Sequence, residues 1–281
     1  IGSAMTLDFT SRNAIDPQAA AAMDTERLRA NFHVGGLFRP GRVSLTYTHY
    51  DRMVVGGAMP DGGTLELPAV KPMGTAGFLD RRELVVVNVG GAGTVTVSGE
   101  AHRLGTRDML YVGLGETVSF ASDDAAMPAK FYLLSAPAHR KCPTVRIGID
   151  QAKRLDLGSA ETSNERSIFQ FTTTIETCQL VAGMTQLAKG SVWNTMPAHV
   201  HDRRMEAYLY FDLPDDARVF HFMGEPAETR HLVIANEEAI LSPPWSIHSG
   251  CGTASYAFIW AMAGDNVDYT DVDKVQLGDM R

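Results

Sequence analysis

The chain has 281 residues, 44% of them hydrophobic and 21% charged, which is length enough for one large or two medium domains with buried cores. Its 33 acidic against 25 basic side chains leave a net charge of −8 with no basic block, so a nucleic-acid partner, which needs a concentrated cationic surface, is not expected. No apolar run approaches the ~18 residues of a membrane span, and three scattered cysteines, Cys142, Cys178 and Cys251, suit a reducing cytoplasm better than a disulfide framework.

Residues 1–5, Ile1-Gly2-Ser3-Ala4 before Met5, read as an expression scar and are set apart from the fold. Asp16 followed by Pro17 predicts a capped helix start, and the Ala-rich run Gln18 to Phe32 predicts one helix. From about Gly41 the texture changes to short alternating segments broken by Gly, Pro and Asp. Examples are Val43 to His49, Leu84 to Val89, Thr94 to Val97 and Tyr256 to Trp260. Strands at that spacing predict a sandwich or barrel. Gly90-Gly91-Ala92-Gly93 reads as a tight turn, since no helix start follows to make it a phosphate-cradling loop. The turn-rich stretch Ala136 to Pro143 closes the first set of strands. Asp150 to Ser167 reads as polar and irregular, and strands resume at Ile168. The join therefore falls near residue 150, giving domains 6–150 and 151–281.

The two halves echo each other. Asp80-Arg81-Arg82-Glu83 before Leu84 to Val87 lies against Asp202-Arg203-Arg204-Met205-Glu206 before Ala207 to Tyr210. Asp108 to Val118 likewise lies against Glu238 to His248, which puts Val118 at the position of His248. The reading is a duplicated barrel in which only the second copy carries metal ligands.

Those ligands are His199, His201, Glu206 and His248. Residues two apart on a strand share a face, so His199 and His201 can aim at one point. A turn from Asp202 to Met205 followed by a strand from Glu206 predicts a hairpin that returns Glu206 to the same cavity, with His248 closing the set from across a barrel. Three imidazoles and a carboxylate suit zinc, manganese, iron or nickel. Cys251 reads as a small buried residue rather than a ligand. His102, His221 and His231 lack ligand spacing and read as ordinary strand or turn histidines.

The set His199-x-His201-x4-Glu206 with a distant His248 resembles the metal signature of the cupin superfamily. The second element, Pro243-Pro244-Trp245-Ser246-Ile247-His248, departs from it by carrying Trp where glycine is expected. Longer stretches go further. Trp193 to Pro197, Arg203 to Glu206, Leu241 to Gly250, Asp80 to Leu84, Asn88 to Thr94 and Phe220 to His231 resemble the family of 4-deoxy-L-threo-5-hexosulose-uronate ketol-isomerases, also called 5-dehydro-4-deoxy-D-glucuronate isomerases. The resemblance implies a mainly β bicupin: two double-stranded β-helix (jelly-roll) barrels after a short N-terminal helix. It also implies a cytoplasmic zinc enzyme of pectin and uronate breakdown, with one Zn2+ per subunit and a homohexameric assembly.

The implied reaction interconverts 5-dehydro-4-deoxy-D-glucuronate and 3-deoxy-D-glycero-2,5-hexodiulosonate through an enediol, with the metal polarising a carbonyl. Glu206 is then a candidate base. Tyr208 and Tyr210, on its face of the strand, are candidates for hydrogen bonding to substrate or for proton relay. Arg203 and Arg204 are candidates for holding the substrate carboxylate, and Trp193 and Trp245 for walling the pocket. Four protein ligands sit uneasily with catalytic zinc, which usually has three and an open position. Three other readings remain at this point: a 5-deoxy-glucuronate isomerase, a cupin dioxygenase, and a non-catalytic bicupin with structural metal.

Overall fold

The alternating segments of the sequence are strands in the computed structural model, which describes residues 6–266 and 268–281. Residues 1–5, read above as an expression scar, lie outside the described residues. The chain forms two compact units. One takes residues up to 12 together with 36–152 and 171–180; the other takes 13–35, 153–170 and 181–281. The main switch falls at Ala152/Lys153, and two further segments trade units, so neither unit is one unbroken stretch.

Among the described residues, each unit has a seven-stranded and a four-stranded sheet. In the first unit the large sheet runs Leu7–Arg12, Arg42–Thr48, Val54–Met59, Phe131–Pro137, Arg82–Asn88, Met109–Val112, Val145–Ile147 in spatial order. In the second it runs Lys153–Leu157, Arg166–Gln170, Val181–Leu187, Ala257–Gly264, Arg204–Phe211, Glu238–Ser242, His33–Val34. The small sheets match as well, with Val118–Ser122 and Gly93–Val97 taking the places of Ser249–Gly252 and Val219–Glu225.

Register makes the comparison residue by residue. Arg82 opens its strand opposite Pro137, and Leu84 faces Val112. Arg204 opens its strand opposite Gly264, and Glu206 faces Ser242. Leu84 therefore occupies the register of Glu206. In the first unit Leu84, Val86 and Val118 all pack into one apolar cluster with Val95, Phe120 and Phe131. Where the second unit carries Glu206, the first carries hydrocarbon.

Three local expectations need correcting. The expected single helix is two, Pro17–Ala21 and Thr25–Phe32. Asp16 does cap the first, accepting from Ala19 N at 2.9 Å, but Asp24 caps a second start by accepting from Arg27 N at 2.9 Å. The stretch expected to be irregular holds a strand, Lys153–Leu157, paired with Arg166–Gln170. All five of its residues are exposed, so no buried face imposed a pattern to read. The strand after it begins at Arg166, two residues before Ile168. The Gly90–Gly93 turn is confirmed, and its glycines serve close approach: a Cβ on Gly91 would lie 2.1 Å from the Met127 carbonyl oxygen.

The segment 171–180 is held in the first unit by one buried carboxylate. Glu83, fully buried, accepts from the backbone N–H of Cys178 at 2.7 Å and of Gln179 and Leu180 at 2.8 Å, and from the Tyr111 hydroxyl. Buried donors left without a partner cost about 1–3 kcal/mol each. Glu83→Ala is expected to lower stability by about 3 kcal/mol or more, read as a shift of the urea midpoint. An unchanged midpoint would show that segment 171–180 does not depend on this carboxylate.

Candidate metal centre and its cavity

His199, His201, Glu206 and His248 converge in the second unit, with one ligand atom of each lying within 4.8 Å of all the others. The route differs from the expected hairpin. His199–Val200 pairs with Asp273–Lys274 near the end of the chain, not with the strand carrying Glu206. His201 lies in a turn closed by Arg204 N donating to its carbonyl at 3.1 Å, and Arg204–Phe211 then runs on as a central strand. His248 directly precedes Ser249–Gly252, the strand that pairs with Val219–Glu225.

Two of the imidazoles turn Nε2 inward because their other nitrogens are engaged. His201 Nδ1 donates to the Arg204 carbonyl at 2.9 Å, and His248 Nδ1 bonds the Ser242 hydroxyl at 3.1 Å. This is the arrangement that leaves Nε2 bare for a metal and fixes the ring. Inside the cluster, Glu206 Oε2 lies 2.9 Å from His201 Nε2 and 2.8 Å from His248 Nε2, and His248 Nε2 lies 2.9 Å from His199 Nε2. Ligands at right angles around an ion ~2.1 Å away stand about 3.0 Å apart, against about 3.4 Å in a tetrahedron. The donor set and its spacing fit a divalent metal.

The electrostatics agree. Burial alone would raise the Glu206 pKa, but His248 and His201 outweigh it and hold the carboxyl below its usual range. Burial, reinforced by His248, pushes His199 down to about 3 and keeps it neutral. In His201 desolvation pulls the pKa down, but the hydrogen bond that its Nε2–H donates to Glu206, with that carboxylate's charge, raises it on balance, holding a proton that a metal ion would displace.

A cavity of about 570 Å³ opens beside the cluster, with His199 and Glu206 in its wall. Tyr208 lines it too, its hydroxyl 2.9 Å from Thr195 Oγ1. Tyr210 shares that strand face but lies deeper, bonded to His221 Nδ1 at 2.7 Å. Burial pushes both phenols well above the ordinary tyrosine value. Thr195, a β-branched residue, sits at φ 55°. Such backbone costs of order 1–3 kcal/mol, and is found where surrounding structure holds a site in place.

Arg203 and Arg204 are committed to the chain itself. Arg203 grips Asp271 through two 2.7 Å bonds, and Arg204, fully buried, donates to Asn266 Oδ1 and to the carbonyls of Asp268, Tyr269 and Asp271. They pin the segment whose Tyr269, Thr270, Val272 and Lys274 form one side of the cavity. Neither expected tryptophan lines it. Trp193 stacks on Phe222 with centroids 6.0 Å apart, and Trp245 donates to the Ile15 carbonyl at 3.0 Å. The tryptophan in the wall is Trp260, anchored by Nε1–H to Thr185 Oγ1 at 3.1 Å. Gly183 makes room for it, since a Cβ there would lie 2.2 Å from the indole.

Cys251 stands outside the ligand group, its thiol pKa raised by burial. His221 is more than an ordinary strand histidine. It is buried against Tyr208 and Tyr210, with its pKa brought to about 3 by desolvation and by His248. Spacing along the chain gave no sign of it, because its place comes from cross-strand pairing with Gly250.

Residues 36–277 match the KduI/IolB family over most of the chain. The chain belongs to that family. It is 68% identical over 281 residues to 4-deoxy-L-threo-5-hexosulose-uronate ketol-isomerase 2 of Rhizobium meliloti, covering 99% of this chain and all of the relative. It is 60% identical to the ketol-isomerase of Cereibacter sphaeroides, covering 96% and 98%. The corresponding protein of Formosa agariphila is 51% identical, over 99% and 100%. Among solved structures, an IolB-like protein from Salmonella typhimurium superposes with a TM-score of 0.66 at 16% identity, covering 79% of this chain and 86% of that one. That likeness places the fold among mainly β, cupin-like proteins. Among the described residues no helix is long and apolar enough to cross a membrane.

For this member of the KduI/IolB family, His201→Ala removes one of two nitrogens against Glu206. Metal affinity is expected to fall by more than the ~10- to 100-fold typical of losing an outer partner, with the strand signal in circular dichroism retained. Wild-type metal content in the dialysed variant would remove His201 from the ligand set.

Proposed function

We propose that the chain is a ketol-isomerase that interconverts 5-dehydro-4-deoxy-D-glucuronate and 3-deoxy-D-glycero-2,5-hexodiulosonate. The observation that carries this reading is the convergence of three imidazoles and Glu206 at the wall of a cavity that also presents cationic side chains. Near full-length identity to ketol-isomerases supports it.

The reaction moves a carbonyl between neighbouring carbons, so a proton must leave one carbon and another must arrive next door. A divalent metal held by His199, His201, Glu206 and His248, zinc in our reading, supplies Lewis-acid polarisation of a substrate carbonyl. His199, His201, Glu206 and His248 would hold the ion, and a substrate oxygen would reach it from the cavity that His199 and Glu206 line. Glu206 is the one carboxylate among the described residues lining the cavity, and is our candidate base. Tyr208 is a poor base because burial holds its proton, so its role is to donate a hydrogen bond to a substrate oxygen while Thr195 fixes its hydroxyl.

We read each unit as one double-stranded β-helix barrel, the first metal-free, and the whole as a bicupin. Assembly as a homohexamer and residence in a reducing cytoplasm, which three free cysteines suit, belong to the same reading.

Zinc-loaded protein is expected to convert the uronate in a proton NMR assay, with no oxygen consumed. Chelation should abolish turnover and zinc should restore it. Turnover of 5-deoxy-glucuronate in preference, or oxygen uptake with bound iron, would overturn the assignment in favour of the corresponding relative.

A further inference from the structure

Among the described residues, the cavity beside the His-Glu cluster is lined by three cations, Arg166, Arg204 and Lys274, and a single carboxylate, Glu206. Glu206 is already engaged by His201 and His248, and the terminal nitrogens of Arg204 are taken by acceptors in 266–271. The other two cations have no acidic partner among the described residues. Arg166 opens the strand Arg166–Gln170, sharing the cavity-lining face of Ile168. Among the described residues it makes one hydrogen bond, Nη1 to the Asn164 carbonyl at 3.1 Å, which leaves Nε and Nη2 open as a fork. Lys274 stands directly opposite His199 in the short ladder near the chain end, and cross-strand partners project to the same side.

A half-buried guanidinium without a counter-charge is costly to keep unless a ligand supplies one. In a chain of net charge −8 a cationic cavity also works against the long-range field and draws anions locally. A six-carbon acid, extended, separates its terminal carbons by roughly 6 Å. Its carboxylate therefore needs a cation apart from the ligands that face the carbonyl end. We propose that Arg166 is the carboxylate anchor of this cavity, holding an open-chain sugar acid through its free fork, with Lys274 a second cation beside the ligands. This rests on the sugar-acid reading above and assigns that substrate's charged end.

The test uses zinc-loaded full-length protein with R166Q, R166K and K274Q, each checked for metal content and thermal midpoint. Turnover of 5-dehydro-4-deoxy-D-glucuronate should show KM raised about 10- to 100-fold in R166Q with kcat within about threefold. R166K should rise less, because the charge remains but the fork is lost. Calorimetry with D-gluconate, an open-chain acid, and sorbitol, its uncharged counterpart, gives a readout independent of turnover. Gluconate should bind wild type more tightly than sorbitol does, and lose about 10- to 100-fold in affinity in R166Q. Wild-type KM and gluconate affinity in folded R166Q would overturn the anchor while leaving the isomerase standing. Absent turnover by wild type, with gluconate binding still sensitive to R166Q, would sink the isomerase and leave the anchor. If R166Q does not fold, R166K carries the test: unchanged KM and gluconate affinity there overturn the proposal.

Discussion

Glu206 is 4% exposed, and an ionised carboxylate at that depth is unfavourable by several kcal/mol unless cationic or hydrogen-bonding partners meet it. The rest of the second unit's interior is arranged around that need. His201 and His248 reach its oxygen, and each is steered there by a bond to its other nitrogen. Ser242, which steers His248, is the cross-strand partner of Glu206 itself. The first unit meets no such demand. With Leu84 in the same register and Val118 packed nearby, its interior closes as hydrocarbon on the same strand order. The same strand order thus closes over an apolar interior or a polar one, according to a few inward-facing residues.

The polar interior extends behind the ligands. Tyr208 bonds Thr195, Thr195 accepts from Asn194, and the Tyr256 hydroxyl donates to Asn194. Tyr210 reaches His221 from the same layer. Gly250 lets this layer close, since a Cβ there would lie 2.6 Å from Asn194 Oδ1. In front of the ligands, Arg203 and Arg204 play a comparable part by fastening the segment that walls the cavity. Side chains next to a metal motif here support the site's shape.

The cluster of His199, His201, Glu206 and His248 was legible because its physics is local: a period of two puts His199 and His201 together, and Glu206 opens an alternating run. The likeness of the two sheet orders was legible in the paired Arg-Arg stretches, where Leu84 and Glu206 share a register. The supposed hairpin was not, because the strand His199–Val200 has just two residues and takes its partner from 273–274, far along the chain. Trp260, Arg166 and Lys274 escaped notice for the same reason: each reaches the cavity through a strand with no ligand on it. Trp193 and Trp245 lie beside ligands in sequence, but that closeness says nothing about which face they use. The break between the helices was readable in Asp24, a second capping residue inside an Ala-rich run.

The way the chain shares out its segments bears on its inheritance. Residues 13–35 serve the second unit, where His33–Val34 extends the sheet beside Ile240, while 171–180, embedded in the second half, serve the first. A gene split at the midpoint would therefore hand each product a stray piece and withhold one it needs. Units that trade segments this way are not modules that shuffling can pass on singly, which ties the inheritance of one to that of the other.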